Sequence, residues 1–196
     1  FHRVANTLNY LDIKTVIVSC GTCLDQLEKY EFEKIFPGSR IMDIHEYLYE
    51  KGFKLNQPGD TRYVYHDPCH TPIKNYVPIE LASNLMQQPV ELSTRCCSES
   101  GTLATARPDI SHQLFTRKLE SMEQAKKELE SSDQKGEVKC LTSCPACQQG
   151  LSRYEKLTGM KTDYIVVEMA KQNYGDQWME DFIEKAVHGG MEKVLL

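Results

Sequence analysis

Most of the chemistry open to this chain lies in eight cysteines: Cys20, Cys23, Cys69, Cys96, Cys97, Cys140, Cys144 and Cys147. They are clustered. Cys20/Cys23 and Cys144/Cys147 are Cys-x-x-Cys pairs, and Cys96 and Cys97 are adjacent. In a secreted scaffold, disulfides substitute for a core too small to hold the fold. Here 196 residues, 40% of them hydrophobic, are enough for a core. Clustered thiols then point to metal or redox chemistry in a reducing compartment. The expected location is the cytoplasm, including the inner face of the membrane.

The candidate ligands are Cys69 in "HDPCH", the Cys96–Cys97 doublet, and the pair Cys144 and Cys147. Twenty-six residues separate Cys69 from Cys96, and 46 separate Cys97 from Cys144. Three loops, each after a strand, can bring these five thiols together. One tetrahedral zinc is closed by four ligands, so five thiols exceed it. A polynuclear iron–sulfur centre offers several metals, and neighbouring cysteines can then bind different irons or bridge two. Zinc on four thiolates stays open as the alternative, and so does a thioredoxin-like redox pair at "CGTC".

His66 and His70 flank Cys69, where each can hydrogen-bond a sulfur, move a proton, or simply fix the loop. Cys20 and Cys23 make a second, incomplete site whose other members are expected N-terminal to Phe1, the chain being read as a piece of a longer polypeptide. Cys140 is expected to be a small buried hydrophobe, and His45 to be structural. Glu99 and Arg95 beside the doublet can tune a metal centre or form a solvated ion pair. Glu46 and Glu168 are expected to cap or anchor a helix. No site is assigned to the charged run from Phe115 to Gln134.

The elements that position these groups come from an internal repeat. "VIVSCGTCLDQLEKYE" (Val16–Glu31) returns 124 residues later as "CLTSCPACQQGLSRYE" (Cys140–Glu155). Similarity resumes in "IHEYL" (Ile44–Leu48) and "VVEMA" (Val166–Ala170). Agreement at one offset implies two related lobes, with residues 1–58 ending a first copy and residues 59–196 forming a second. Each copy reads as a buried strand, a Cys-x-x-Cys turn and an amphipathic helix. Further strands are expected at "RYVYH" (Arg62–His66) and "DYIVV" (Asp163–Val167). Helices are expected over Pro78–Met86, Pro108–Glu130 and Asp176–Val187, with Pro78 and Pro108 in first turns. The expected fold is α/β: two related lobes of mainly parallel sheet flanked by helices, with the cysteine loops at the carboxyl ends of strands. There the following helix N-termini favour thiolate over thiol.

A net charge of −5 without a basic run argues against nucleic acid as a partner, and no apolar stretch is long enough to span a membrane. The motifs "YHDPCH", "RCCSESGT" and "TSCPACQQGLSRY" together resemble the cysteine-rich CCG domain of heterodisulfide reductase and of the iron–sulfur subunits of glycolate, lactate and glycerol-3-phosphate dehydrogenases. They look closest to the C-terminal region of long bacterial flavoproteins that also carry a FAD-binding oxidase-type domain and a ferredoxin-like segment. The resemblance implies an iron–sulfur cluster, of noncubane [4Fe–4S] type in one relative, on Cys69, Cys96, Cys97, Cys144 and Cys147. It also implies upstream FAD and ferredoxin-like partner domains, a 2-hydroxy acid substrate such as lactate or glycolate, and an electron acceptor. Ser98 departs from the pattern, because the family has glycine after the doublet, where positive φ or close approach is needed.

Overall fold

The computed structural model describes residues 13–99, 103–131 and 136–189. The helix-like first residues, Ser100–Thr102 of the doublet loop and the end of the charged run lie outside them. The chain forms two parallel sheets flanked by helices. The first pairs β1 (Thr15–Val18) with β2 (Arg40–Asp43), joined through α1 (Gly21–Glu28) and α2 (Phe32–Ile35), and is followed by α3 (Ile44–Glu50).

The second sheet has four parallel strands in the order β4-β3-β5-β6. Chain order runs β3 (Arg62–His66), α4 (Pro78–Met86), β4 (Val90–Leu92), α5 (Leu103–Ala106) and α6 (Pro108–Glu130). It continues with β5 (Val138–Thr142), α7 (Pro145–Ser152), α8 (Glu155–Thr158), β6 (Lys161–Tyr164), α9 (Ile165–Tyr174) and α10 (Trp178–Gly189). The segment from β5 to α9 repeats that from β1 to α3 element by element. In both, the last residue of the first strand pairs the last of the second, Val18 with Asp43 and Thr142 with Tyr164.

Side chains alternate across β3 as the pleat requires. Tyr63 and Tyr65 enter a core layer with Leu81, Leu85 and Met86 of α4 and with Ile165 and Met169 of α9. Val64 enters the opposite layer with Met122 and Ala125 of α6, Leu151 of α7, Cys97 and Cys147. The chain leaves β3 towards β4 and then returns to place β5 on the other side of β3. Neighbouring strands β3 and β5 thus begin connections that run in opposite directions. Their carboxyl ends form a topological switch point, the crevice where open α/β sheets gather ligands.

The helices over Pro78–Met86 and Pro108–Glu130 fall where the sequence places them, each with proline in its first turn. The last described helix begins at Trp178 and not at Asp176. The expected strand Asp163–Val167 needs correction: strand ends at Tyr164 and Ile165 opens α9. "IVV" is β-branched, but Ile165, Glu168 and Met169 recur at helical spacing and all are buried. Packing overrides local propensity there. Strands β2 and β4 were not expected, being four and three residues long.

Candidate metal centre

The switch point is lined with sulfur. β3 ends at His66, and the loop beyond it carries Cys69. β4 leads to the doublet Cys96–Cys97, and β5 ends at Thr142 beside Cys144 and Cys147. Cys97 and Cys147 are buried with their Sγ atoms 3.3 Å apart. That is contact between two free thiols, well beyond the ~2.05 Å of a disulfide, and all eight cysteines are free. Cys144 is the N-cap of α7 and is also buried. Cys96 is half-buried and Cys69 exposed.

Proton affinities show which sulfurs are neighbours. Cys97 is held well below the ordinary thiol value, first by its hydrogen bond with Cys147, then by Cys96 and His66. Cys147 is pushed up by Cys144 and Cys97. Cys144 is lowered to about 6 by Cys147 and by the backbone amides of Cys147 and Ala146 at the start of α7. Cys96 is raised by its bond to Cys97 and by burial, and the charge of Cys69 reaches it as well. Cys96, Cys97, Cys147 and Cys144 are thus linked sulfur to sulfur, buried at Cys97, Cys144 and Cys147, and Cys69 stands near enough for its charge to reach Cys96. The ligand atoms of His66, Cys97 and Cys147 all lie within 4.8 Å of one another.

The first Cys-x-x-Cys pair is not remote. Tyr164, at the end of β6, donates to the carbonyl of Ser19 at 3.1 Å. Cys23 is raised by Cys20, by burial and by the charge of Cys144. Cys23 thus behaves like its repeat counterpart Cys147, also raised, while the helix start favours thiolate at Cys144. Gly21 makes the approach possible, since a Cβ there would sit 1.7 Å from the carbonyl oxygen of His70.

His70 is exposed, and its Nδ1 lies 2.7 Å from Asp25 of α1, whose other oxygen accepts from Lys74 at 2.8 Å. Its role is to tie the Cys69 loop to the first unit. His66 is fully buried, and burial lowers its pKa. Cys140 is buried in β5 and pushed up to about 12 by burial, as expected of an inert thiol. His45 is buried against Asp43, which caps α3 by accepting from the His45 amide.

One expectation changes in detail: Glu99 pairs with Arg153 at 3.1 Å, not with Arg95. Glu46 accepts from the amides of Lys74 and Asn75 and so anchors α3 to the loop after Cys69. Glu168 accepts from Tyr63 Oη and Lys139 Nζ, anchoring α9 to β3 and β5. Ser98 has φ 64, the left-handed conformation foreseen for that position, and its Oγ lies 2.9 Å from Tyr154 Oη.

One buried residue beside the thiol site escaped the sequence reading. Lys118 lies in the charged run to which no site was assigned, yet it is fully buried, with Nζ 3.1 Å from His66 Nδ1. The readable signal was its place on the apolar stripe of α6, between Phe115, Met122 and Ala125. An open recess of about 800 Å³, lined in part by Lys14, Thr15, Phe32 and Arg40, lies at the opposite, amino-terminal end of β1 and β2, away from the thiols.

An open parallel α/β sheet with thiol-bearing loops at its switch point is the class of protein that fold and site define. Comparison with known proteins agrees in kind. A family described as a domain of unknown function, DUF3400, matches residues 152–196. An uncharacterized iron–sulfur protein of Methanococcus maripaludis is 27% identical over 169 residues, covering 81% of this chain and 32% of that protein. A second uncharacterized iron–sulfur protein, from Methanocaldococcus jannaschii, is 30% identical over 108 residues, covering 53% of this chain and 22% of its own. One component of the CoM/CoB fumarate reductase of Methanothermobacter marburgensis is 26% identical over 141 residues, 68% of this chain and 27% of that component. The chain thus spans about a third or less of the relatives it matches. No solved structure matches it significantly. Among the described residues no helix is long and apolar enough to cross a membrane.

Proposed function

We propose that this chain is an iron–sulfur electron-transfer module, with Cys69, Cys96, Cys97, Cys144 and Cys147 holding one polynuclear cluster. The observation that carries the reading is the 3.3 Å contact of Cys97 with Cys147 at the switch point, with Cys96 and Cys144 bonded to them and the charge of Cys69 within reach. Donor chemistry fits the group, since thiolates are the usual cluster ligands and two of these are already favoured as thiolate. A bound iron–sulfur cluster supplies one-electron transfer at a potential set by charge, hydrogen bonds to sulfur and exposure.

The chain's own residues divide the remaining work. Cys97, Cys144 and Cys147 bind on the protein side, where burial excludes water. The start of α7 turns its amides to Cys144 and stabilises negative charge there. Cys69 and Cys96 lie at the open rim, where an electron partner can approach. The finer reading follows the resemblance: the module serves a larger FAD-dependent oxidoreductase of lactate or glycolate dehydrogenase type, with FAD and ferredoxin-like domains upstream in the same polypeptide, in the cytoplasm. The two relatives named as iron–sulfur proteins, and the component named as part of a fumarate reductase, support the coarser part of this.

The test is anaerobic reconstitution with iron and sulfide, followed by iron, acid-labile sulfide and zinc analysis. About four irons per chain with matching sulfide is the expected result. Stoichiometric zinc in a colourless anaerobic preparation would instead support a structural zinc module. Turnover of a Cys20–Cys23 disulfide without metal would support the thiol–disulfide reading.

A further inference from the structure

Lys118 is a buried cation without a carboxylate partner among the described residues. Its Nζ lies 2.8 Å from Ser93 Oγ, 2.9 Å from Thr94 O, 3.1 Å from Ser93 O and 3.1 Å from His66 Nδ1. A charged group is rarely buried unless it is paired, and of the sulfurs whose charge would reach this one, Cys97 is the one favoured as thiolate. Burial lowers its pKa to about 8, which leaves the ammonium form dominant near neutrality.

The ammonium has three protons, and two of its neighbours are carbonyl oxygens that can only accept. Next to a cation, His66 is a neutral ring, and its Nδ1 is then the acceptor of a Lys118 proton. A neutral imidazole with Nδ1 accepting carries its hydrogen on Nε2. Nε2 is buried and meets no hydrogen-bonding oxygen or nitrogen, on a ring that comes within 4.8 Å of the sulfurs of Cys97 and Cys147 and helps to hold the Cys97 proton affinity down. A protonated ring nitrogen cannot bind a metal.

We propose that Lys118 is a positioning residue that fixes His66 as the Nε2–H tautomer, which makes His66 a hydrogen-bond donor to the Cys97 sulfur and not a metal ligand. The inference rests on the reading of Cys97 as a cluster ligand. The arrangement acts on the centre in two ways: the N–H draws charge from the sulfur, and the ammonium supplies a fixed positive charge behind it. Both favour the reduced state.

The first measurement needs no metal. Nitrogen-15 NMR of the full chain, reduced, metal-free and labelled at histidine, reads the tautomer directly, with His66→Gln assigning the signal. The expected result is a neutral ring protonated at Nε2, shifting to a tautomer mixture in Lys118→Met. A proton on Nδ1 in the unsubstituted chain overturns the proposal, and so does an unchanged tautomer in folded Lys118→Met. If that variant does not fold, the unsubstituted chain still decides. In reconstituted protein, Lys118→Met is expected to keep its iron and lower the midpoint potential; an unchanged potential overturns the tuning role. A chain that takes up no iron defeats the cluster reading and leaves the tautomer result standing by itself.

Discussion

Serine 98 occupies a backbone conformation that glycine enters freely and that costs other residues roughly 1–2 kcal/mol. Its hydroxyl, buried against Tyr154, returns about 0.5–1.5 kcal/mol. The two effects nearly cancel. Ser98→Gly is therefore expected to change stability by less than about 1 kcal/mol, whereas Ser98→Ala keeps the strain, loses the bond and costs about 1–2 kcal/mol; urea unfolding of the metal-free chain separates the two. Cys144 makes a pH prediction. Its folded pKa, about 6, lies below the ordinary 9.0, so its contribution to stability is complete above the ordinary value and is lost as pH falls through about 6. The melting temperature of the reduced, metal-free chain should fall more steeply over that window than that of Cys144→Ser, and parallel curves would remove Cys144 as the cause. The thiol clusters were readable as residue types and spacing, and the left-handed turn after the doublet from the glycine of the family that the motifs resemble. The proton affinities were not, because they depend on which sulfurs touch.

At the scale of elements, α7 must come close to the doublet loop for its turn to share a site with Cys97. Gly150 permits this: a Cβ there would lie 2.5 Å from Cβ of Glu99 and 3.4 Å from the Cys97 carbonyl oxygen. Gly150→Ala is expected to push the loop off the helix, costing about 1–3 kcal/mol by overpacking and lowering iron uptake; a variant with unchanged stability and iron content would show the approach to be dispensable. Helices α4 and α6 were legible from apolar spacing and first-turn prolines. The short β2 and β4 were not, since a few residues carry too little pattern. "DYIVV" misled because β-branched composition outweighed a helical spacing whose members are buried only once α9 docks on the sheet. Lys118 was hidden for the opposite reason: a charged residue on an apolar stripe reads as solvated face until burial is known.

Across the whole molecule, the repeat foretold that the segments from β1 to α3 and from β5 to α9 share one element order, and they do. It could not foretell how they meet, because contacts between the copies fall on unrelated residues. Asp25 holds His70 and Lys74 at the surface, and Lys74 first, then His70, keep its pKa low. Glu46, fully buried, holds the Lys74 and Asn75 amides and the Asn75 side chain. Exposed pairs contribute about 0–1 kcal/mol, while removing a buried acceptor strands its donors at about 1–3 kcal/mol or more. Asp25→Asn is thus expected to be mild and Glu46→Ala severe in thermal unfolding; equal effects would contradict this account of the junction. The central claim is that sulfurs of three loops enclose one inorganic centre, and the most direct measurement is iron bound per chain after anaerobic reconstitution of single-cysteine variants. Serine at position 69, 96, 97, 144 or 147 should each reduce iron, while Cys140→Val should retain it. Full iron in the five serine variants, or equal loss in Cys140→Val, would contradict the claim.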